Sequence, residues 1–117
     1  MPNFPRAHRL VSKPQYDAVY QDSRRLGDSF FLVLTRPNST RQARLGLSVS
    51  ARSVGNSVNR NRIKRIIRDG FRLNSSSFPA VDVVVNTRPA AREATNRALR
   101  TSLETHWTNM VKRCSER

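Results

Sequence analysis

The sequence predicts an α+β fold, a two-layer α/β sandwich of three helices on a small mixed sheet, in the order αβββαβα. Three observations predict it. Residues 58–72 contain no Pro, and Ile63, Ile66, Ile67, Gly70 and Phe71 recur at three- and four-residue steps, the period of a one-sided helix. Residues 28–36, 44–50 and 81–86 are short runs rich in β-branched, aromatic or alternating apolar residues, bounded by turn residues. Ser12 and Asn56 or Ser57 are N-capping residue types at the heads of periodic segments.

In chain order, residues 1–11 carry Pro2, Pro5, Arg6, His8 and Arg9 and read as an extended basic arm, with His8 a solvated side chain. Ser12 opens a helix over roughly 13–22, with Pro14 in its first turn and Gln15 completing a Ser-x-x-Gln capping box. Tyr16, Val19 and Tyr20 share one face of it. Two readings fit the tyrosines: they fill the core, which spacing alone favours, or they form a platform on which single-stranded bases stack. The run at 28–36 is a strand ended by Pro37 and Asn38, and a short extra strand can precede it near 24–26. In the strand at 44–50, Leu45, Leu47 and Val49 point one way. Arg44, Gly46, Ser48 and Ser50 point the other way, a face that either admits an approaching group or meets solvent. Val54, Gly55 and Asn56 form the turn into the long basic helix. After a loop at 74–80, residues 81–86 make a buried strand. A last helix over roughly 93–113 runs Leu99, Leu103, Trp107, Met110 and Cys114 down one side, with His106 beside the Trp107 anchor.

The 117 residues fit one domain, 1–117, with a modest core. Lys and Arg total 22 against eight acidic residues, giving a net charge of +14, and Arg far outnumbers Lys. Arg pairs bidentately with phosphate and stacks on bases, so this balance points to nucleic acid. The charge is concentrated on the basic helix. Asn61, Arg65, Arg68 and Arg72 lie opposite its apolar face, with Arg60, Lys64 and Arg62 on the flanks, and no acidic residue falls between Arg52 and Arg68. Like charges one turn apart cost a few tenths of a kcal/mol per pair, about the scale of i,i+4 couplings, which suggests a polyanionic partner. One cysteine allows no internal disulfide, and the apolar runs are too short to span a bilayer, so a cytoplasmic location is expected.

Catalytic chemistry is not visible in the residue types. The carboxylates are scattered among the elements, and two His with one Cys are too few for a zinc site or a Cys–His pair. A Gly-containing turn at Val54–Asn56 can hold phosphate on free N–H groups, but it lacks Walker A spacing. No catalytic residue and no protein-bound metal is expected.

The stretch RLGLSVSARSVGNSVNRNRIKRIIRDGFR resembles the signature of the bacterial ribonuclease P protein component, whose hallmark is an Arg-Asn-Arg core in a basic helix. Arg60-Asn61-Arg62 matches that core and Ile63-Lys64-Arg65 its continuation. The likeness extends to the Tyr16/Val19/Tyr20 spacing, the Phe31 strand, the Asp82-Val-Val-Val strand and Asn96-x-x-Leu99. It implies a left-handed βαβ crossover, against the usual hand. It also implies a protein that assists a catalytic RNA in removing the 5′ leader from precursor tRNA, with the RNA holding the Mg²⁺ ions and hydrolysing the phosphodiester.

By position, the resemblance assigns Tyr16, Tyr20, Phe31, Arg60, Asn61, Lys64 and Arg68 to a cleft for the single-stranded leader. It assigns Arg52, Val54, Gly55, Asn56, Arg62 and Arg65 to the contact with the catalytic RNA. The partners implied are that RNA and precursor tRNA, with no membrane and no obligate protein partner. Ala51 stands where many members have a basic residue, and Leu34 where some have an aromatic one. The competing readings are a different RNA-binding module sharing the charge but not the cleft, and a protein-only nuclease.

Overall fold

The computed structural model describes residues 9–10 and 12–115, with side chains up to Arg113. The arm expected at 1–11, His8 included, lies outside those residues except for Arg9 and Leu10, and so does the Cys114 side chain. The elements are α1 (Lys13–Gln21), β1 (Arg24–Gly27), β2 (Phe31–Pro37), β3 (Arg44–Ser48), α2 (Ala51–Val54), α3 (Ser57–Asn74), β4 (Val81–Thr87) and α4 (Asn96–Ser115). The four strands order as β1-β2-β4-β3. β1 and β2 pair antiparallel, as do β2 and β4, whereas β3 runs parallel to β4 and forms one edge. The fold is thus α+β with a small mixed sheet, as the sequence predicts.

Local chemistry accounts for the boundaries. The Ser12 capping box forms in both directions: the Gln15 N–H meets the Ser12 hydroxyl, and Gln15 Oε1 accepts from the Ser12 N–H at 3.1 Å. Strand β2 begins at Phe31 rather than residue 28, because Asp28 Oδ1 accepts the N–H groups of both Phe30 and Phe31 at 2.9 Å and bends the chain there. Strand β3 stops at Ser48, and Ser50 caps the one-turn helix α2 by accepting from the Ser53 N–H at 3.1 Å, a helix the sequence reading did not anticipate. Of the two candidate caps for α3, Asn56 is the one used. Helix α4 starts at Asn96, not 93, with the Thr95 hydroxyl accepting from the Ala98 N–H and a 3₁₀ stretch at Pro89–Glu93 before it.

The sheet separates two apolar clusters. Phe31, Val33, Leu45, Val81, Val83 and Val85 face α3 and α4, meeting Ile63, Ile67, Phe71, Leu99, Leu103, Trp107 and Met110. Gly70 leaves room for Trp107, whose indole nitrogen would sit 3.1 Å from a β-carbon there. On the other face, among the described residues, Leu34 and Val84 are buried with Leu10 and Val19, and Tyr16 and Leu32 pack against them. A large apolar side chain fully buried contributes about 1.5–3 kcal/mol. Among the described residues, the larger share of buried apolar side chains therefore lies on the α3/α4 side.

Candidate nucleic-acid interface

Burial of Ile63, Ile66, Ile67 and Phe71 fixes how α3 is rolled against the sheet, and with it where each cation points. One flank looks across the edge of β3 towards α1. There Lys64 and Arg68 line a depression of about 210 Å³ with Arg9, Leu10, Tyr16, Leu45 and Leu47. The other flank looks towards α4. There Asn61, Arg62, Arg65 and Ile66 line a broader groove of about 480 Å³ with Val58, Asp69, Asn96 and Arg100.

Tyr16 and Tyr20 are held one turn apart on α1 by different contacts. The Tyr16 hydroxyl accepts from the Leu47 N–H at 3.1 Å. Its Cε1 and Cζ lie 2.7 and 2.9 Å from where a β-carbon on residue 46 would be, so only glycine fits beneath the ring. The small-residue face of β3 thus admits a group from the same chain, and Gly46 is buried rather than open to solvent. Tyr20 is 48% exposed and its hydroxyl meets Asn86 Oδ1 at 2.6 Å, while Asn86 Nδ2 reaches the Leu32 carbonyl at 3.3 Å.

Carboxylates are kept away from the depression. Arg44 grips buried Asp82 bidentately at 2.7 and 2.8 Å, and Asn38 Nδ2 adds a bond at 2.8 Å. Hydrogen bonding to Asp82, opposed by burial, raises the Arg44 pKa. Asp17 pairs with Lys13 and Asp69 with Arg72. Asp28 is bonded by the Ser102 hydroxyl and lies 3.1 Å from His106 Nε2. Burial works against the Asp28 charge, but Ser102, the Phe31 and Phe30 N–H groups and His106 outweigh it and hold the carboxyl below its ordinary range. Among the described residues, Lys64 and Arg68 have no ion pair or hydrogen-bonded side-chain partner, so their charges face the depression uncompensated.

Several expected positions prove different. Phe31 is fully buried in the cluster facing α3 and α4, on the opposite side of the sheet from Tyr16, because β2 turns its odd-numbered residues that way. Leu32 and Leu34 are the β2 side chains beneath α1. Asn61 lies in the α3–α4 groove, apart from Lys64 and Arg68. Arg60 is half-buried with a sequestered Nε that has no partner, and it lines neither depression.

Of the residues expected at the catalytic RNA, Arg52 and Asn56 are exposed, but Val54 is fully buried and offers only backbone, its carbonyl already taken by Asn59 Nδ2 at 2.6 Å. Gly55 has φ 90°, a conformation glycine accepts readily, and the Arg92 guanidinium lies against it. Arg62 is turned inward. Its guanidinium binds Asn59 Oδ1 at 2.8 Å, Asn96 Oδ1 at 2.6 Å and the Ala94 carbonyl at 3.2 Å, with Arg92 O at 3.4 Å. Arg65 is exposed and lines the groove. The sequence reading missed Asn59, whose side chain joins α2, α3 and the segment before α4. It also missed Arg100, the α4 cation opposite Arg65. An Asn three residues after the Asn56 cap and three before Arg62 was the available signal for the first.

Comparison with known proteins agrees with this architecture. The Ribonuclease P family model matches residues 4–111. The ribonuclease P protein component of Methylococcus capsulatus is 42% identical over 96% of this chain and 88% of its own, and that of Thioalkalivibrio sulfidiphilus is 41% identical over 96% and 93%. The solved Staphylococcus aureus RNase P protein superposes with a TM-score of 0.80 at 31% identity, covering 92% of this chain and 94% of that one. With a basic helix beside a tyrosine-lined depression and a family match over nearly its whole length, the chain belongs to the ribonuclease P protein family.

Proposed function

We propose that this chain is the protein subunit of a ribonuclease P ribonucleoprotein, an endoribonuclease that removes the 5′ leader of precursor tRNA. The chain binds the catalytic RNA and grips the leader, and the RNA performs the hydrolysis with its own Mg²⁺. The observation that carries this reading is the depression between α1, β3 and α3. Tyr16, Lys64 and Arg68 line it, and among the described residues the two cations have no ion-pair partner and no carboxylate joins the lining. That is a fit for a phosphodiester chain, whose charge the cations neutralise and whose sugars meet Leu10, Leu45 and Leu47. Tyr20, half-exposed one turn along, offers a ring to a base.

The α3–α4 groove suits a second stretch of RNA backbone, with Arg65 and Arg100 on facing walls and Arg52 and the Gly55–Asn56 turn beyond the α3 N-terminus. Two long-range RNA contacts are what a subunit bridging catalytic RNA and substrate requires. The carboxylates of Asp17, Asp69 and Asp82 are each paired with a cation, and among the described residues no three His, Cys, Asp or Glu side chains gather as a metal site needs.

The test is reconstitution. Added to a bacterial ribonuclease P RNA at low Mg²⁺, the chain is expected to rescue precursor processing, and Tyr20→Ala to weaken affinity for precursor while sparing mature tRNA. Equal losses for both RNAs would indicate generic RNA binding, and Mg²⁺-dependent cleavage by the chain alone would overturn the division of labour.

A further inference from the structure

The two tyrosines of α1 have hydroxyls of opposite polarity. A backbone N–H can only donate, so Leu47 fixes the Tyr16 hydroxyl as an acceptor there, and the Tyr16 proton is directed elsewhere. At the other position, the Leu32 carbonyl can only accept. Its partner on Asn86 must therefore be Nδ2, which leaves Oδ1 for Tyr20. An amide oxygen also only accepts, so Tyr20 spends its proton within the chain. Ring exposure is reversed in the same pair. The Tyr16 ring lies over Gly46 against Leu10, whereas Tyr20 is 48% exposed. Among the described residues the Tyr16 hydroxyl makes no second hydrogen bond, so Tyr16 brings an uncommitted O–H donor to the lining it shares with Lys64 and Arg68, and Tyr20 brings a ring without a donor.

We infer that the two residues read different parts of the bound strand, Tyr16 donating its hydroxyl proton to a phosphate oxygen of the leader and Tyr20 supporting a base through its ring. This rests on the leader occupying the α1–β3–α3 depression. Phosphate is the acceptor the surroundings favour, because an ammonium and a guanidinium line the same depression and, among the described residues, no carboxylate lines it to compete for the proton. Gly46 is the positioning residue: only there can the ring settle low enough for its hydroxyl to reach Leu47.

The experiment compares wild type, Tyr16→Phe, Tyr20→Ala and Lys64→Ala in the holoenzyme. Affinity is measured for mature tRNA, for precursor, and for precursors carrying a single methylphosphonate or a single 2′-deoxy substitution along the leader. Tyr16→Phe is expected to weaken precursor binding about tenfold, the scale of a hydrogen bond to a charged group. That loss should vanish on one methylphosphonate leader and persist on every 2′-deoxy leader. Tyr20→Ala should weaken binding by a similar factor on all of them. A merely structural Tyr16 hydroxyl would give the same loss on every leader, and that result overturns the inference. So does disappearance of the loss on a 2′-deoxy leader, which would make ribose the acceptor, or an unchanged affinity for Tyr16→Phe. In each of these cases the leader reading stands if Lys64→Ala still weakens precursor but not mature tRNA. If Lys64→Ala weakens both equally, the leader reading itself fails.

Discussion

The two flanks of α3 carry the same kinds of residue and use them in opposite ways. Facing β3, Lys64 and Arg68 project into a depression without partners in the described chain. Facing α4, Arg62 is held by four acceptors, two from the segment leading into α4 and one from Asn96 at its start. A basic helix is therefore not uniformly a binding surface. Which cation stays free and which is tied into the fold depends on whether carbonyls lie within its reach. Arg62 closes the Arg-Asn-Arg core of the helix, yet geometrically it is a clamp.

This contrast can be broken in order of expected size. Arg62→Ala leaves the part-buried Asn59 Oδ1 and Ala94 carbonyl without their charged donor, so it should cost about 2 kcal/mol in chemical denaturation. An unchanged midpoint would show the clamp to be idle. Gly46→Ala places a methyl group 2.7 Å from Tyr16 Cε1. It should cost about 1–2 kcal/mol by overpacking and weaken precursor affinity with it. Retention of full affinity would mean that the Tyr16 position is not needed. Lys64→Ala and Arg68→Ala should leave stability within about 0.5 kcal/mol, while each lowers the slope of log affinity against log salt by about one. A stability loss instead would place them with Arg62.

The smallest effect is one of pH. Asp28 ties the β1–β2 turn to α4, and its folded pKa lies below the ordinary 3.8. Its contribution is complete above the unfolded value and drains away as pH falls through the lower folded one. Asp28→Asn should therefore flatten stability against pH below about 4 and leave the Lys64–Arg68 side unaffected. An identical acid profile for the variant would remove Asp28 from the account.

The capped helix starts, the apolar face of α3 and the grouping of Lys64 with Arg68 were legible because each depends on neighbours within a few residues. The flanks were not. Spacing gives the angle of Asn61 around the helix but not that α4 packs beside it. Arg62 takes acceptors some thirty residues away, at Arg92, Ala94 and Asn96, which no local pattern reveals. Phe31 was misplaced for another reason. In the run FFLVL both strand faces are apolar, so alternation cannot tell which face meets which helix, and a shift of one residue exchanges them. Val54 reads as part of a turn, but a four-residue helix buries it.

The Leu47 N–H taken by Tyr16 has a neighbour in Leu45, whose carbonyl accepts the Leu10 N–H at 3.0 Å. Between them these contacts occupy the outer margin of β3, a parallel strand that would otherwise invite another extended segment to add to it. A foreign chain seeking to lengthen the sheet at these points would have to evict both. The tyrosine beside the Lys64–Arg68 depression therefore also guards the protein against aggregation through that margin.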